Sequence, residues 1–274
     1  MNAAASYAPP SQSAVPGALA TDGAVIERFA REYLRERRSE RRWRIFFRLM
    51  WLFIGLALLA AVFSAQQVSS APAGPHTALI DVRGEISAES DASAEALVSA
   101  LKSAFEDKGS KAVVLRFNSP GGSPVQSGIV HDEILRLKAL HNKKVYAVVE
   151  EVCASGAYYM AVAADEIYTD KASIVGSIGV LMDSFGLNGT LDKLGVERRL
   201  MTAGENKGIG DPFTPMSDQH RAYLQTMLDQ IHQQFINVVK AGRGERLKET
   251  PETFSGLFWN GEQAVAMGLA DRLG

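Results

Sequence analysis

From residue 77 onward, apolar side chains recur in two alternating periods. Strand-length runs, TALIDV (77–82), KAVVLRFN (111–118), KVYAVVE (144–150) and the shorter EIYTD (166–170), are separated by helical patterns. One such pattern passes through Leu97, Ala100 and Leu101, a second through Val125, Ile129, Ile134 and Leu137, and a third begins at Ser155. Alternation of this kind requires right-handed crossovers and predicts an α/β fold built on a mostly parallel sheet with flanking helices. Residues 187–203 predict a further helix and strand. MSDQHRAYLQTMLDQIHQQFINVVKAGRG (216–244) predicts a long amphipathic helix with Leu224, Met227, Leu228, Ile231 and Phe235 on one stripe.

A different pattern comes first. LMWLFIGLALLAAVFSA (49–65), extended upstream by Ile45, Phe46 and Phe47, approaches the roughly 20 residues that cross a bilayer, so 45–65 is expected to be one transmembrane anchor. Residues 1–48 carry nine Arg against five acids, and no Lys or Arg follows the apolar run until Arg83. The positive flank places residues 1–44 in the cytoplasm and everything after about residue 66 outside, as a single-pass protein of a bacterial-type inner membrane with a periplasmic domain. A cleaved signal peptide fits less well, because the basic arm lies deep in the chain and bulky Phe63 stands where a cleavage site has a small residue. A buried core helix would have no reason to carry arginine on one flank only.

Residues 1–23, rich in Ala, Ser and Pro, are expected to be disordered. In 24–44 the arginines alternate with Glu27, Glu32, Glu36 and Glu40 at helical spacing, which describes a salt-bridged, solvated helix and not a nucleic-acid patch. Residues 66–76 form a linker containing VSSAPAGPH, and 77–274 form one extracytoplasmic domain. With 46% hydrophobic and 22% charged residues the chain can bury a full core. The single cysteine, Cys153, excludes an intrachain disulfide framework and any multi-cysteine zinc site. There is no GxxxxGK[ST], so a built-in ATPase is unsupported, and no metal or cofactor is expected.

EEVCASGAYYMAVAADEI (150–167) sets an isolated hydroxyl, Ser155, where a β-branched run gives way to small and aromatic residues. A serine at a helix start is most often an N-cap. To be a nucleophile it needs a base and an oxyanion site. SPGG (119–122) follows the strand ending at Asn118, and Gly121 and Gly122 can aim unhindered N–H groups at a ligand. Both SPGG and Ser155 follow the carboxyl ends of parallel strands, where binding crevices form, and a helix start favours developing negative charge. None of the five histidines (His76, His131, His141, His220, His232) sits in a motif. Lysine can act as the base where burial lowers its pKa from about 10.4.

The ordered set ASGAYYMAVAADEIY, SIVGSIGV (173–180), LDKLGVE (191–197), TAGENKGIGDPF (202–213) and NGEQAVAMGLADRLG (260–274) resembles the signal peptide peptidase A family across essentially all of 77–274. These are membrane-anchored Ser-Lys serine peptidases with a ClpP/crotonase-like fold. The resemblance implies Ser155 as nucleophile, Lys207 of TAGENKG as general base, and Ser177 of GSIG as an accessory serine that orients the lysine. It implies the backbone N–H groups of Gly122 and Gly156 as the oxyanion hole. It also implies peptide substrates such as remnant signal peptides, and a homo-oligomer whose Ser and Lys come from neighbouring subunits. Met201, Phe213 and Met216 are expected to line core or cleft. A crotonase-type acyl-CoA enzyme shares the SPGG-like turn and the closing GLAD, but its substrate is not expected outside the cytoplasm. A non-catalytic scaffold is disfavoured by the presence of both Ser155 and Lys207.

Overall fold

The structure, a computed structural model, describes residues 27, 43–62 and 74–274. The expected disordered segment 1–23, most of the basic helix 24–44, the last anchor residues 63–65 and most of the linker lie outside the described residues. The chain divides into two compact units, Met1–Ala71 and Pro72–Gly274.

In the first unit, α1 (Trp43–Val62) is long and apolar enough to cross a membrane, and its side chains are exposed along its length. Trp43, Phe46 and Phe47 cluster at its start with ring centroids 5.6 to 5.8 Å apart. Aromatic rings beside Arg44 and Arg48 suit a membrane interface, where an apolar body and a charged head are both accommodated.

The second unit is an α/β domain. Strands β1 (His76–Arg83), β2 (Ser110–Ser119), β3 (Lys144–Ala154), β4 (Glu166–Thr169) and β7 (Arg272–Leu273) run parallel in that spatial order. Helices α2 (Ala94–Glu106) and α3 (Pro124–His141) supply the first two crossovers. Ser93 and Ser123 cap them, each accepting a backbone N–H three residues on. β1 begins at His76, whose imidazole pairs with Asp107 at 3.1 Å. Ile80, Val82, Val113, Leu115, Phe117, Val145, Ala147 and Val149 bury one sheet face in a core with Leu97, Leu101, Phe105, Ile134 and Leu137. The opposite face stays wet, with Arg116 bonded to Asp81 (2.6 and 3.0 Å) and within 3.4 Å of Glu150. Parallel sheets are usually covered on both faces. Here the alternation of apolar and polar residues in the strands matches a sheet covered on one.

β3 is long and serves two neighbours. Residues 146–149 pair with β4, whereas Val152, Cys153 and Ala154 pair with β5 (Ile174–Gly176), which is joined antiparallel by β6 (Phe258–Asn260). The sheet therefore splits just before Ser155. Beyond the split come α4 (Gly156–Ala161), α5 (Asn188–Lys193), α6 (Asp218–Arg243) and α7 (Gly261–Ala266).

Two expectations are corrected. No strand lies between α5 and α6: residues 194–203 contain none, the Val196 N–H turns back to Leu191 O, and Arg198 and Arg199 are taken by Asp211 and Glu197. Met201, Phe213 and Met216 line neither the core nor the cavity described below, because the segment carrying them lies off the sheet-helix sandwich and leaves all three exposed. The stripe on α6 is graded. Phe235 and Val239 are buried, whereas Leu224, Met227, Leu228 and Ile231 are only half-buried.

The C-terminal segment is locked by one buried cation. Arg243, 1% exposed, donates to Gly268 O at 2.7 Å and to both Asp271 oxygens at 2.8 and 2.9 Å. Asp271 also accepts the Ile167 N–H at 2.7 Å. Burial pushes the Asp271 carboxyl up, but these hydrogen bonds and the Arg243 and Arg246 charges outweigh it and hold the group below its ordinary value of 3.8. A depressed carboxyl stabilises the fold above that ordinary value and loses its contribution as pH falls through the folded one. The melting temperature of Asp271→Asn should therefore lie well below wild type at neutral pH, since breaking a buried pair costs about 3–5 kcal/mol. The gap should narrow below about pH 4; a gap that persists undiminished into acid would refute the assignment.

Candidate functional site

The site forms where β2 and β3 end and the sheet divides. After Ser119 the chain turns sharply through Gly121 (φ 99°) and Gly122 (φ 150°), a conformation that side chains resist. Space imposes the same choice: a Cβ on Gly121 would lie 2.7 Å from Gly156 N, and one on Gly122 would lie 2.2 Å from Ile86 O. Ile86 clamps the turn from the far side, donating to Gly121 O at 2.9 Å and accepting the Ser123 N–H at 2.8 Å.

Ser155 follows β3 with φ 53° and ψ −123°, positive φ in a residue that is not glycine. Its N–H donates to Gly176 O at 2.8 Å and its carbonyl accepts the Tyr159 N–H at 3.0 Å. Its hydroxyl makes no capping hydrogen bond. The ordinary role of a serine at a helix start is thus unfilled, while the backbone is held in a conformation that costs on the order of 1–3 kcal/mol. Ser177, after β5, also has positive φ (52°), fixed by donation from its N–H to Leu257 O at 2.8 Å.

Ser155, Ser177, Gly122 and Gly156 line one cavity of about 590 Å³. Gly122 and Gly156 are neighbours in space, since a Cβ on Gly156 would lie 3.3 Å from Gly122 N. Neither N–H donates to a backbone carbonyl among the described residues. Tyr159, Val180, Leu181, Ile231 and Phe235 give the cavity an apolar wall, with Tyr159 and Phe235 in ring contact at 5.1 Å. Glu85 lines the cavity as well.

Lys207 is placed elsewhere. It lies in a run of turns over residues 203–210, is exposed, and does not line the cavity. The turn run is tethered to α6 by Asn206 Oδ1, 3.2 Å from His220 Nε2. No histidine lines the cavity among the described residues: His232 Nε2 is 3.1 Å from Ile178 O, and His131 is buried edge-on against Tyr159. The structure therefore brings together Ser155, Ser177, Gly122 and Gly156 within one chain, and leaves Lys207 apart. Sequence reasoning missed Glu85, Ser127, Tyr159 and the Ser255-Gly256 corner of the wall. None of them left a distinguishing trace: even Ser127, four residues after Ser123 at the start of a helical pattern, reads as an ordinary helix-start serine.

The family model for Peptidase family S49 matches residues 138–274. A Brucella melitensis protein named as the Na(+)/H(+) antiporter NhaA is 49% identical over 174 residues, 64% of this chain and 24% of that protein. A Synechocystis protein named as a protease is 33% identical over 198 residues, 72% of this chain and 69% of that one. The chloroplastic serine protease SPPA of Arabidopsis thaliana is 30% identical over 195 residues, 70% of this chain and 28% of that one. The chain thus spans about a quarter of the Brucella and Arabidopsis proteins. A solved structure of ClpP1 from Listeria monocytogenes overlays with a TM-score of 0.46 at 14% identity, covering 72% of this chain and 90% of that one.

Proposed function

This chain belongs to peptidase family S49, and on that premise we propose that it is a membrane-anchored serine endopeptidase working from the cavity at the split in the sheet. The observation that carries the reading is Ser155: a strained backbone, a hydroxyl with no capping role, and a place in the cavity wall beside the unpaired N–H groups of Gly122 and Gly156. In the proposed reaction the Ser155 Oγ attacks a peptide carbonyl while Lys207 takes its proton. The carbonyl oxygen, now negative, is received by the two N–H groups. Each such donor is worth about 2.7–4 kcal/mol in acyl transfer. Collapse of the intermediate expels the amine, which recovers the proton from the lysine, and water then releases the acyl group by the same path. Ser177 orients the lysine.

Lys207 reaches this site, in the proposal, from a second copy. The stretch between β5 and α6, which carries Lys207, exposes Met201 (93%), Leu181 (83%) and Phe185 (76%), apolar side chains that a neighbouring subunit would cover. A closed homo-oligomer buries them and can complete the dyad in the same contact. Substrates are proposed to be signal-peptide remnants and other membrane-associated peptides, whose apolar segments suit the wall of Tyr159, Ile231 and Phe235. The anchor is α1, with the arginine-rich arm in the cytoplasm and the peptidase domain outside.

One experiment tests chemistry and topology together. Spheroplasts expressing the full chain are treated with a membrane-impermeant fluorophosphonate, which acylates activated serines. Wild type should be labelled and Ser155→Ala should not. Equal labelling of the variant would refute Ser155 as nucleophile, and labelling that requires permeabilised membranes would reverse the topology.

A further inference from the structure

Ser127 is fully buried in the first turns of α3, yet it forms part of the cavity wall. Its hydroxyl donates to Ser123 O at 3.0 Å, and the same carbonyl accepts the Ser127 N–H at 3.1 Å. Ser123 directly follows Gly122, and its own N–H is held by Ile86 O. Back-bonding of a helical serine to the carbonyl four residues earlier is common and would mean little alone. The second contact of this hydroxyl is what distinguishes it. A Cβ built on Gly156 would fall 2.4 Å from Ser127 Oγ, so that oxygen occupies the space a side chain at 156 would fill. One buried hydroxyl therefore holds the Ser123 carbonyl, one peptide beyond Gly122, and fills the space beside Gly156.

We propose that Ser127 is a positioning residue of the oxyanion site, setting the separation of the Gly122 and Gly156 N–H donors by spacing the start of α3 from the start of α4. The inference rests on the peptidase reading above. Two donors can receive one oxygen only at a fixed separation, and Gly122, with no side chain of its own, is held only through its neighbours. Ser119 Oγ accepts the Gly121 N–H at 3.2 Å before it, and Ser123 is fixed by Ile86 and Ser127 after it. Removal of the Ser127 hydroxyl takes away one of the two hydrogen bonds to Ser123 O, leaving that from the backbone N–H of residue 127, and opens a gap beside Gly156. Both donors then relax from the geometry that the tetrahedral oxygen needs, whereas the apolar wall that binds the substrate's side chains is untouched.

The test uses full-length protein and an internally quenched apolar peptide. Ser127→Ala is expected to lower kcat about 10-fold with KM within about 2-fold, since loss of an entire donor costs about 10²–10³ and this loss is one of placement. A peptide aldehyde, whose adduct with Ser155 puts an oxygen between the donors, should bind about 10-fold more weakly, while the corresponding peptide alcohol should bind unchanged. Ser127→Cys, with a longer bond and a weaker donor, should show both changes in smaller degree. Wild-type kcat and aldehyde affinity in Ser127→Ala, or a change in KM alone, would overturn the proposal. If the alanine variant does not melt as a folded protein, Ser127→Cys decides in the same way. Wild-type protein that fails to cleave peptides at all would overturn the peptidase reading and this inference with it; cleavage unaffected by either substitution would overturn this inference alone.

Discussion

Ser155→Ala is expected to abolish peptide hydrolysis, with kcat falling by a factor on the order of 10⁴ or more, and Lys207→Ala is expected to do the same. The double variant is no worse than either single one. In the proposed mechanism nucleophile and base act as a unit, so a transfer that lacks one would gain nothing from the other. Neither substitution unfolds the domain, because Lys207 is exposed and Ser155 gives up only a hydroxyl that caps nothing. Lys207→Arg should fail as completely as Lys207→Ala, since a guanidinium keeps its proton and cannot serve as a base. Hydrolysis assays paired with thermal melts check all four. Substantial cleavage by the arginine variant would eliminate Lys207 as the base.

Activity is expected to return when the two single variants, each predicted to be inactive alone, share an oligomer. Within one chain Lys207 lies outside the cavity that holds Ser155, so the proposed dyad forms between subunits. In a ring assembled at random from equal amounts of Ser155→Ala and Lys207→Ala chains, about a quarter of the contacts join an intact serine to an intact lysine. Co-expressed, differently tagged chains purified through both tags should recover activity of about that share, and each variant alone should recover none. Verified mixed oligomers that stay inactive would place the dyad in a single chain and require the segment carrying Lys207 to fold inward.

The parts of this arrangement that were legible in the sequence are those whose pattern reflects a local cause. β1, β2 and β3 could be read from Ile80, Leu115 and Ala147, because one sheet face is buried and the other wet, and the alternation survives along each strand. β5, β6 and β7 were not legible, being two or three residues long, too short for any period to show. The turn at Gly121 and Gly122 was legible because steric exclusion by Ala154, Gly156 and Ile86 leaves glycine as the only residue that fits. The strand expected near residue 200 was misread for the opposite reason. Val196, Leu200 and Met201 are apolar as a buried strand would be, yet no element among the described residues covers them. Sequence records that a surface is apolar and does not say what covers it. Ser127 was illegible because a serine near a helix start has a commonplace explanation, and its contact with Gly156 exists only once β3 has carried that residue alongside α3.

The backbone at Ser155 has one more consequence. At φ 53° and ψ −123° the position suits glycine better than any residue with a side chain. The substitution that would most relax the fold at this point is therefore also one that destroys the proposed nucleophile. A population of variants selected only for resistance to heat or proteolysis would drift toward an inactive, sturdier protein, and the serine persists there only while cleavage itself is under selection.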